Sequence, residues 1–305
     1  MSGIVAWSTS SFGKESARPL ELLREAGFEV RANPHGRTLT ADEARTHLEG
    51  VVGLVAGTEK LPGDLLKQLP ALRCISRVGV GMDSIDLAAA KEAGIAVVNT
   101  PDAHVDAVAE LTLAGLLAVL RKVPTSDASI RGGKFEKPMG RLLGGKTVGM
   151  VGFGRVARRF AQLLSGFGVT IVAHDPQVTT PSPGVELTDL DGVIARSDVL
   201  SLHLPYSAAV KHLIGGAQLA RLKRDAIVVN ASRGGLIDEA ALLAHLTENP
   251  KAGAYLDCFE KEPYDGPLAK LPNVVATAHI GSYAREARVR METEAVQNLL
   301  QVLAR

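Results

Sequence analysis

Cysteine, aromatic residues and excess charge are all scarce in this chain. Only 2 of its 305 residues are cysteines, which argues against a disulfide-stapled scaffold and predicts buried free thiols at Cys74 and Cys258. The 34 Lys and Arg residues balance the 33 Asp and Glu residues, and no block of like charge marks a surface for nucleic acid. We therefore expect no nucleic-acid partner, and no metal site is predicted.

Long apolar runs are absent as well. The N-terminal segment Met1–Trp7 has no basic region followed by an apolar stretch, so no export signal is visible. The most apolar helical segment, residues 107–120, is interrupted by Glu110 and Thr112 and is too short to span a bilayer. We expect a soluble, cytoplasmic protein that does not bind a membrane.

Short apolar runs alternate with helical patterns along the whole chain. This alternation predicts an α/β fold of parallel sheets with helices on both faces. A polar stretch rich in Gly and Pro, residues 124–145, separates two such series. The first series has strand candidates at Ile4–Ala6, Val51–Val55, Leu72–Ser76 and Ile95–Val98. The second has six, at Thr147–Val151, Val169–Ala173, Val199–Leu202, Ala226–Asn230, Ala252–Leu256 and Val274–Ala276.

A glycine-rich turn opens the second series. Gly152-x-Gly154-x-x-Ala157 follows an apolar strand and begins a helical pattern. In that context Gly152 permits a tight turn, Gly154 leaves room for a pyrophosphate, and the helix N-terminus offers unpaired N–H groups to it. Asp175, 23 residues beyond Gly152, suits the two ribose hydroxyls and would repel a 2′-phosphate. The pattern predicts an NAD site rather than an NADP site, and six strands are the count of a full dinucleotide-binding sheet. The alternative is a strand-to-helix turn that binds nothing, which the strand, the helix and the spaced Asp together disfavour.

Three polar motifs follow later strands of the same series. Arg233 ends Asn230-Ala231-Ser232-Arg233, Glu262 lies 29 residues further along, and His279 another 17 residues on. Oxidation of a 2-hydroxy acid removes a hydroxyl proton while a hydride leaves for the nicotinamide. His279 suits the proton transfer, Glu262 would orient the ring and stabilise the imidazolium, and Arg233 would grip a carboxylate in bidentate fashion. Taken singly, each residue could equally be an ordinary surface or loop residue; the order and spacing of all three favour catalysis.

With these motifs the chain resembles the D-isomer-specific 2-hydroxyacid dehydrogenase family. The matching segments are Ser76–Asp83, Val108–Glu110, the Gly152 turn, His203-Leu204-Pro205 and the three polar motifs. The resemblance implies that Arg233, Glu262 and His279 are catalytic. It implies a cofactor site made of Gly152, Phe153, Gly154, Arg155, Val156, Asp175, His203, Leu204, Pro205, Ala231, Ser232, Arg233, Asp257 and His279. It implies substrate contacts from Thr58, Val78, Gly79, His104, Arg233 and His279, with Val78 and Gly79 offering backbone N–H groups to the substrate carboxylate.

The resemblance also implies the organisation of the molecule. We expect two Rossmann-like or flavodoxin-like domains: a discontinuous substrate domain of residues 1–100 plus 283–305, and an NAD-binding domain of residues 101–282. Family members are generally homodimers, and the helix Ala103–Arg121 would lie in the interface. The chain looks like a short form of phosphoglycerate dehydrogenase, and a C-terminal regulatory domain is not expected.

The substrate stays open at this point. The chain resembles sequences labelled phosphoglycerate dehydrogenase, yet Gly57 stands at about the position where those enzymes often place an Arg for the phosphate. Lys60 is nearby, but an ammonium group does not reproduce the guanidinium fork. Glycerate/hydroxypyruvate or glyoxylate reduction is therefore the alternative activity. An alternative of another class is an NAD-sensing, corepressor-like binding protein, which would keep the same three polar residues.

Overall fold

The computed structural model describes residues 3–304, which form two compact units. The first unit holds the described residues up to His104 and again from Ser282 onward, and the second holds Val105–Gly281. Each unit is built on its own sheet, in which all strands are parallel. The α/β class predicted from the alternation of apolar runs and helical patterns is confirmed.

The sheet of the first unit has five strands in the order β2-β1-β3-β4-β5. Chain order reverses between β1 and β3, as in flavodoxin-like sheets. The strands are β1 (Ile4–Trp7), β2 (Glu29–Arg31), β3 (Val51–Ala56), β4 (Cys74–Arg77) and β5 (Ala96–Asn99). The first helices of this unit are α1 (Arg18–Glu25), α2 (Ala41–His47), α3 (Gly63–Leu66) and α4 (Leu87–Glu92).

The sheet of the second unit has seven strands in the order β12-β11-β10-β9-β6-β7-β8. This is the doubly wound dinucleotide-binding order with one strand added, and the chain order reverses between β6 and β9. The helices before the sheet are α5 (Val105–Arg121) and α6 (Val123–Arg131). The strands are β6 (Thr147–Val151), β7 (Thr170–His174), β8 (Val185–Leu187), β9 (Val199–Leu202), β10 (Ile227–Asn230), β11 (Gly253–Leu256) and β12 (Val274–Ala276). The connecting helices are α7 (Arg155–Leu164), α8 (Leu190–Arg196), α9 (Gly216–Leu219) and α10 (Glu239–Glu248), and α11 (Arg285–Leu303) then belongs to the first unit.

Each sheet has an apolar core on both of its faces. In the second unit, α5 and α7 cover one face and α8, α9 and α10 cover the other. In the first unit, α2, α3 and α4 cover one face, and α1 packs with α11 over the other. This double coverage explains why the strands read as continuous apolar runs rather than as alternating ones.

The helices are started by local chemistry that the sequence carries. Asp86, Asp189 and Asp238 precede α4, α8 and α10, and each carboxylate accepts a hydrogen bond from the amide three residues later. α7 begins differently: its first flanking residue is Gly154, which supplies no side-chain cap. A helix N-terminus without a side-chain cap is a place where an anion can be bound.

The structure corrects the strand count. All ten strand candidates form strands with ends shifted by at most two residues, but β2 and β8 were missed. Both are three-residue strands at the edge of a sheet and contain charged residues, Glu29 and Arg31 in β2 and Glu186 in β8, so neither shows an apolar run. The second sheet therefore has seven strands instead of the expected six.

Candidate active site

The strands of the second sheet end in one row. Register pairs Ala276 with Leu256, Leu256 with Asn230, and Asn230 with Leu202. The row continues through Val151 to His174. Each predicted motif of this unit begins directly after that row. The residues that follow the six strand ends are Thr277, Asp257, Ala231, His203, Gly152 and Asp175. Parallel pairing thus brings motifs that are up to 127 residues apart in the chain, Gly152 and His279, to one edge of the sheet, where ligands of open α/β sheets bind.

The glycine turn after β6 forms a cradle with room for a phosphate. Gly152 has φ +87°, and a Cβ there would lie 2.6 Å from the carbonyl oxygen of His203, so only glycine fits. A Cβ at Gly154 would meet nothing within 4 Å, which leaves open space over the start of α7. Phe153 is buried, whereas Arg155 and Val156 form the first turn of α7. An uncapped helix N-terminus beside open space fits the pyrophosphate of NAD.

Asp175 lies at the end of β7, next to this cradle. Its Oδ2 accepts a hydrogen bond from the amide of Phe153 at 2.8 Å, and its Oδ1 accepts one from the amide of Gln177 at 2.9 Å. The two amides fix the carboxylate beside the glycine turn, and each oxygen keeps acceptor capacity for a ribose hydroxyl. Asp175 therefore lies beside the glycine turn although it is 23 residues beyond Gly152 in the chain.

The segment His203-Leu204-Pro205 follows β9 directly. His203 Nε2 lies 2.9 Å from the hydroxyl of Ser201, and its ring packs against Phe160 at 5.6 Å between centroids. Desolvation lowers the pKa of His203 to about 4, so its ring is neutral at physiological pH. Leu204 packs onto the core under β9, and Pro205 is exposed.

Glu262 and His279 form a direct pair. His279 Nδ1 lies 2.9 Å from Oε2 and 3.1 Å from Oε1 of Glu262. Glu262 also accepts a hydrogen bond from the amide of Phe259 at 3.0 Å, which orients its carboxylate. Because Nδ1 is engaged, Nε2 is the ring nitrogen left to exchange a proton with a ligand.

The electrostatics of the pair favour an ionised carboxylate. Burial by itself would raise the pKa of Glu262, but the hydrogen bond from His279 and the positive charges of His279 and Arg233 lower it below its ordinary value. Glu262 is therefore a carboxylate at neutral pH and stabilises a proton on the imidazole.

Arg233 is carried by a turn that Asn230 shapes. The Asn230 side chain is buried; it accepts hydrogen bonds from the amide and hydroxyl of Ser232, and its Nδ2 donates to the carbonyl of Arg233 at 2.8 Å. Ala231 begins the same turn. The three predicted catalytic residues are thus presented from neighbouring loops, after β10, β11 and β12.

Asp257 has a role that the sequence did not indicate. The resemblance placed Asp257 in the cofactor site. In the structure Asp257 is 1% exposed and accepts three hydrogen bonds within the protein. Thr277 Oγ1 donates to Oδ1 at 2.6 Å, and the amides of Ile280 and Gly281 donate to Oδ1 and Oδ2 at 2.8 Å. Asp257 therefore holds the turn that carries His279.

The expected substrate residues outside this sheet lie in the first unit. Thr58 is exposed after β3, with its hydroxyl 3.4 Å from that of Thr38, and His104 is buried at the end of the unit. The Val78 amide donates to the carbonyl of Ala56 at 2.9 Å, and the Gly79 amide donates to the hydroxyl of Thr100 at 2.8 Å. Both amides are engaged within the protein, so the structure does not hold them ready as donors to a carboxylate.

Sequence reasoning missed three residues that support the site. Asn230 hydrogen-bonds the turn of Arg233, Thr277 donates to Asp257, and the Tyr255 hydroxyl lies 3.0 Å from that of Thr277. In the sequence each of the three looks like an ordinary residue in or just after a strand. Their only signal is position, because they lie at or within two residues of the strand ends that precede Arg233, Asp257 and His279. Their partners are distant in the chain and become visible only in three dimensions.

Among residues 3–304, no group of three or more His, Cys, Asp or Glu side chains is arranged to hold a metal ion. None of the helices described above is both long and apolar enough to cross a membrane. Cys74 and Cys258 are free and buried.

The chain is similar in sequence and in structure to a known family of dehydrogenases. The family model described as "D-isomer specific 2-hydroxyacid dehydrogenase, NAD binding domain" matches residues 113–281. A D-3-phosphoglycerate dehydrogenase of Methanocaldococcus jannaschii is 39% identical over 294 residues, which are 93% of this chain and 55% of that protein. A glyoxylate reductase of Thermofilum pendens is 41% identical over 258 residues, or 81% of this chain and 76% of that one. The crystal structure of the TT0316 protein from Thermus thermophilus superposes with a TM-score of 0.89 at 37% identity, covering 99% of this chain and 97% of that one. The chain thus spans about half the length of the phosphoglycerate dehydrogenase and about three quarters of the glyoxylate reductase.

Proposed function

The chain belongs to the D-isomer-specific 2-hydroxyacid dehydrogenase family, and we propose that it is an NAD-dependent oxidoreductase that interconverts a D-2-hydroxy acid and its 2-keto acid. One observation carries the proposal. His279 faces Glu262 at 2.9 Å on the same sheet edge that carries the glycine cradle and Asp175. A proton-transfer pair and a dinucleotide cradle on one edge are what this reaction needs.

The part that His279 plays in proton transfer follows from the contact of its Nδ1 with Glu262, which leaves Nε2 for the substrate. In reduction of the keto acid, Nε2 of the protonated His279 gives a proton to the developing alkoxide at C2. In oxidation, Nε2 takes that proton from the hydroxyl. Glu262 stabilises the imidazolium in both directions, and Arg233 binds the substrate carboxylate through its guanidinium fork.

NAD, when bound, accepts or donates the hydride. Residues 152–156 would hold its pyrophosphate, Asp175 its adenosine ribose, and the segment 203–205 would border the adenosine half. A carboxylate at Asp175 would repel the 2′-phosphate of NADP, so we expect a preference for NAD. Ala231 and Ser232 would line the nicotinamide side.

The substrate class is proposed as a 2-keto acid of three carbons or fewer in its main chain, with 3-phosphohydroxypyruvate, hydroxypyruvate and glyoxylate as the members to distinguish. The two relatives above are named for phosphoglycerate and for glyoxylate, which supports this range. Gly57 stands at about the position where phosphoglycerate dehydrogenases often place an arginine for the phosphate, and the ammonium group of the nearby Lys60 does not reproduce the guanidinium fork, which favours an unphosphorylated acid.

We propose further that the protein is a homodimer. Phe135, Met139 and Leu142 are 79%, 86% and 74% exposed in the segment that follows α6, and Ile130 of α6 is exposed beside them in the chain. Several large apolar side chains exposed within one short stretch of the chain support an interaction surface there. A second copy of the chain is the partner we propose.

We propose a cytoplasmic location as well. The free thiols Cys74 and Cys258 agree with a reducing compartment.

The decisive experiment is NADH consumption by the purified protein. The panel is glyoxylate, hydroxypyruvate, 3-phosphohydroxypyruvate, 2-ketobutyrate and 3-sulfopyruvate, each repeated with NADPH. We expect turnover with at least one acid, faster with NADH, and a loss of about 10²–10⁴-fold in kcat for His279→Ala with NADH binding retained. Absence of turnover with every acid would reject the proposal and favour a binding protein that senses NAD.

A further inference from the structure

Tyr255 is a buried tyrosine whose hydroxyl has a polar partner on the next strand. It lies on β11, is 0% exposed, and its ring packs so closely on α5 that a Cβ at Gly115 would come within 2.3 Å of it. Its hydroxyl lies 3.0 Å from Oγ1 of Thr277, the first residue after β12. A buried phenol hydroxyl requires a hydrogen-bond partner, and here the partner belongs to the segment that carries His279.

The direction of the hydrogen bonds can be assigned. The Thr277 hydroxyl has one hydrogen, and its oxygen lies 2.6 Å from Oδ1 of Asp257, an acceptor-only carboxylate. Thr277 therefore donates to Asp257, and Tyr255 donates to Thr277. Burial raises the pKa of Tyr255, so the phenol keeps the proton that it donates.

This chain of hydrogen bonds ends at the turn that carries His279. Asp257 accepts from the amides of Ile280 and Gly281, the two residues after His279, and Thr277 lies two residues before it. The turn is thus held on both sides of the histidine. His279 itself has φ +53°, a left-handed conformation that is unfavourable for a residue with a side chain and persists only where the surroundings enforce it.

We propose that Tyr255 is a positioning residue for the reaction: its hydroxyl completes the chain Tyr255–Thr277–Asp257 that keeps His279 in its left-handed conformation with Nδ1 on Glu262. The inference rests on the proposed function, because it gives Tyr255 a part in the same proton transfer. Tyr255 acts through His279 and does not touch substrate, and no proton moves along the chain.

The test is the removal of single hydroxyls in the full-length protein. Tyr255→Phe should lower kcat by about threefold to tenfold while the KM for the keto acid and the Kd for NADH change by less than about twofold. Thr277→Val should lower kcat at least as much, and Thr277→Ser should restore it. Tyr264→Phe is the matched control, because the Tyr264 hydroxyl meets the amide of Leu268 at 3.2 Å, away from this chain, and its removal should leave kcat unchanged.

Two double variants separate positioning from a general structural role. Tyr255→Phe combined with Thr277→Val should have the kcat of Thr277→Val alone, because both break one chain. In the His279→Ala background, Tyr255→Phe should have no further effect on the residual rate. Additive losses in both double variants would overturn the proposal, since a hydroxyl that only stabilised the fold would act without His279.

The failures of the two proposals are distinguishable. Unchanged kcat in Tyr255→Phe, with turnover by the unaltered protein and loss in His279→Ala, overturns the positioning role alone. Absence of turnover by the unaltered protein overturns the proposed function and the positioning role together. If Tyr255→Phe does not fold, the comparison of Thr277→Val with Thr277→Ser decides, and equal kcat in these two overturns the proposal.

Discussion

At the scale of single residues, Glu262 gives His279 a negatively charged partner, with Oε2 of the carboxylate 2.9 Å from Nδ1 of the ring. The pKa of Glu262 is lowered by its hydrogen bond with His279 and by nearby positive charge, against the opposing effect of burial. The carboxylate is therefore present at and above neutral pH and is lost only as the pH falls through its lowered pKa. At neutral pH it can stabilise the imidazolium that forms when His279 takes up a proton in the reaction.

Glu262→Gln tests this charge while keeping the size of the side chain. Without the negative charge, the imidazolium that forms during proton transfer loses its ionic partner, so kcat at neutral pH should fall by about tenfold or more while the Kd for NADH changes little. Steady-state kinetics at neutral pH and a titration with NADH measure the two values. An unchanged kcat would show that the charge of Glu262 makes no contribution to the reaction.

His203 provides a residue-scale prediction for stability. Its pKa in the fold is about 4, lowered by desolvation from the ordinary value of 6.5. Between these two values the unfolded chain binds a proton that the folded protein does not. The free energy of unfolding should therefore have its full value when the pH is above the ordinary pKa of histidine. It should fall by up to about 3 kcal/mol as the pH drops to the lowered pKa of His203.

Replacing His203 by Gln should remove that part of the pH dependence. Urea unfolding of the cofactor-free protein at about pH 7 and about pH 4.5 should show a difference between the two pH values that is smaller in His203→Gln by about 2–3 kcal/mol. An identical difference in the two proteins would mean that the ring gains its proton in the fold as easily as in water.

At the scale of elements, α5 packs very closely against β11 at Gly115. Gly115 of α5 lies against the ring of Tyr255, and a Cβ there would be 2.3–2.4 Å from three ring carbons. Alanine normally stabilises a helix relative to glycine by up to about 1 kcal/mol. Here overpacking dominates, because neither the buried ring nor the sheet can move away.

Gly115→Ala should accordingly destabilise the protein by about 1–3 kcal/mol. The midpoint of urea unfolding measures it, with Gly166→Ala as control, since a Cβ at Gly166 meets nothing within 4 Å. The control should be neutral or slightly stabilising. Equal midpoints for both variants would show that α5 can shift away from β11 at little cost in free energy.

At the scale of the whole molecule, residues 130–142 expose four large apolar side chains, those of Ile130, Phe135, Met139 and Leu142, which we propose as the dimer contact. Phe135→Asp combined with Met139→Asp should convert the proposed dimer to monomers, because each substitution places a charge on a surface that must lose water on association. Light scattering after size-exclusion chromatography measures the mass. Leu87→Asp, at another exposed leucine, should leave the mass unchanged. A monomer before any substitution would contradict the dimer directly.

The two units of the molecule show how far the sequence could be interpreted. Ten of the twelve strands, the glycine turn at Gly152 and the spacing to Asp175 were predictable, because each depends on residues that are neighbours in the chain. β2 and β8 were not, because charged residues interrupt these short edge strands and leave no apolar run, so that pairing with the neighbouring strand sets their conformation. The engagement of the Val78 and Gly79 amides was also invisible, because their acceptors lie on β3 and after β5.

Local spacing and residue chemistry are properties of the linear chain; they sufficed for the fold class, the family and the cofactor, and they led to the prediction that Arg233, Glu262 and His279 are catalytic. What holds those residues in place depended on the folded sheet. That Asp257 holds the His279 turn, with Thr277 and Tyr255 behind it, became visible only in the fold, because parallel pairing of β11 with β12 brings side chains about 20 residues apart within hydrogen-bond distance. Hydrogen bonds act over about 3 Å of space and carry no trace of separation along the chain, so the supporting residues of this site emerge only once the sheet is formed.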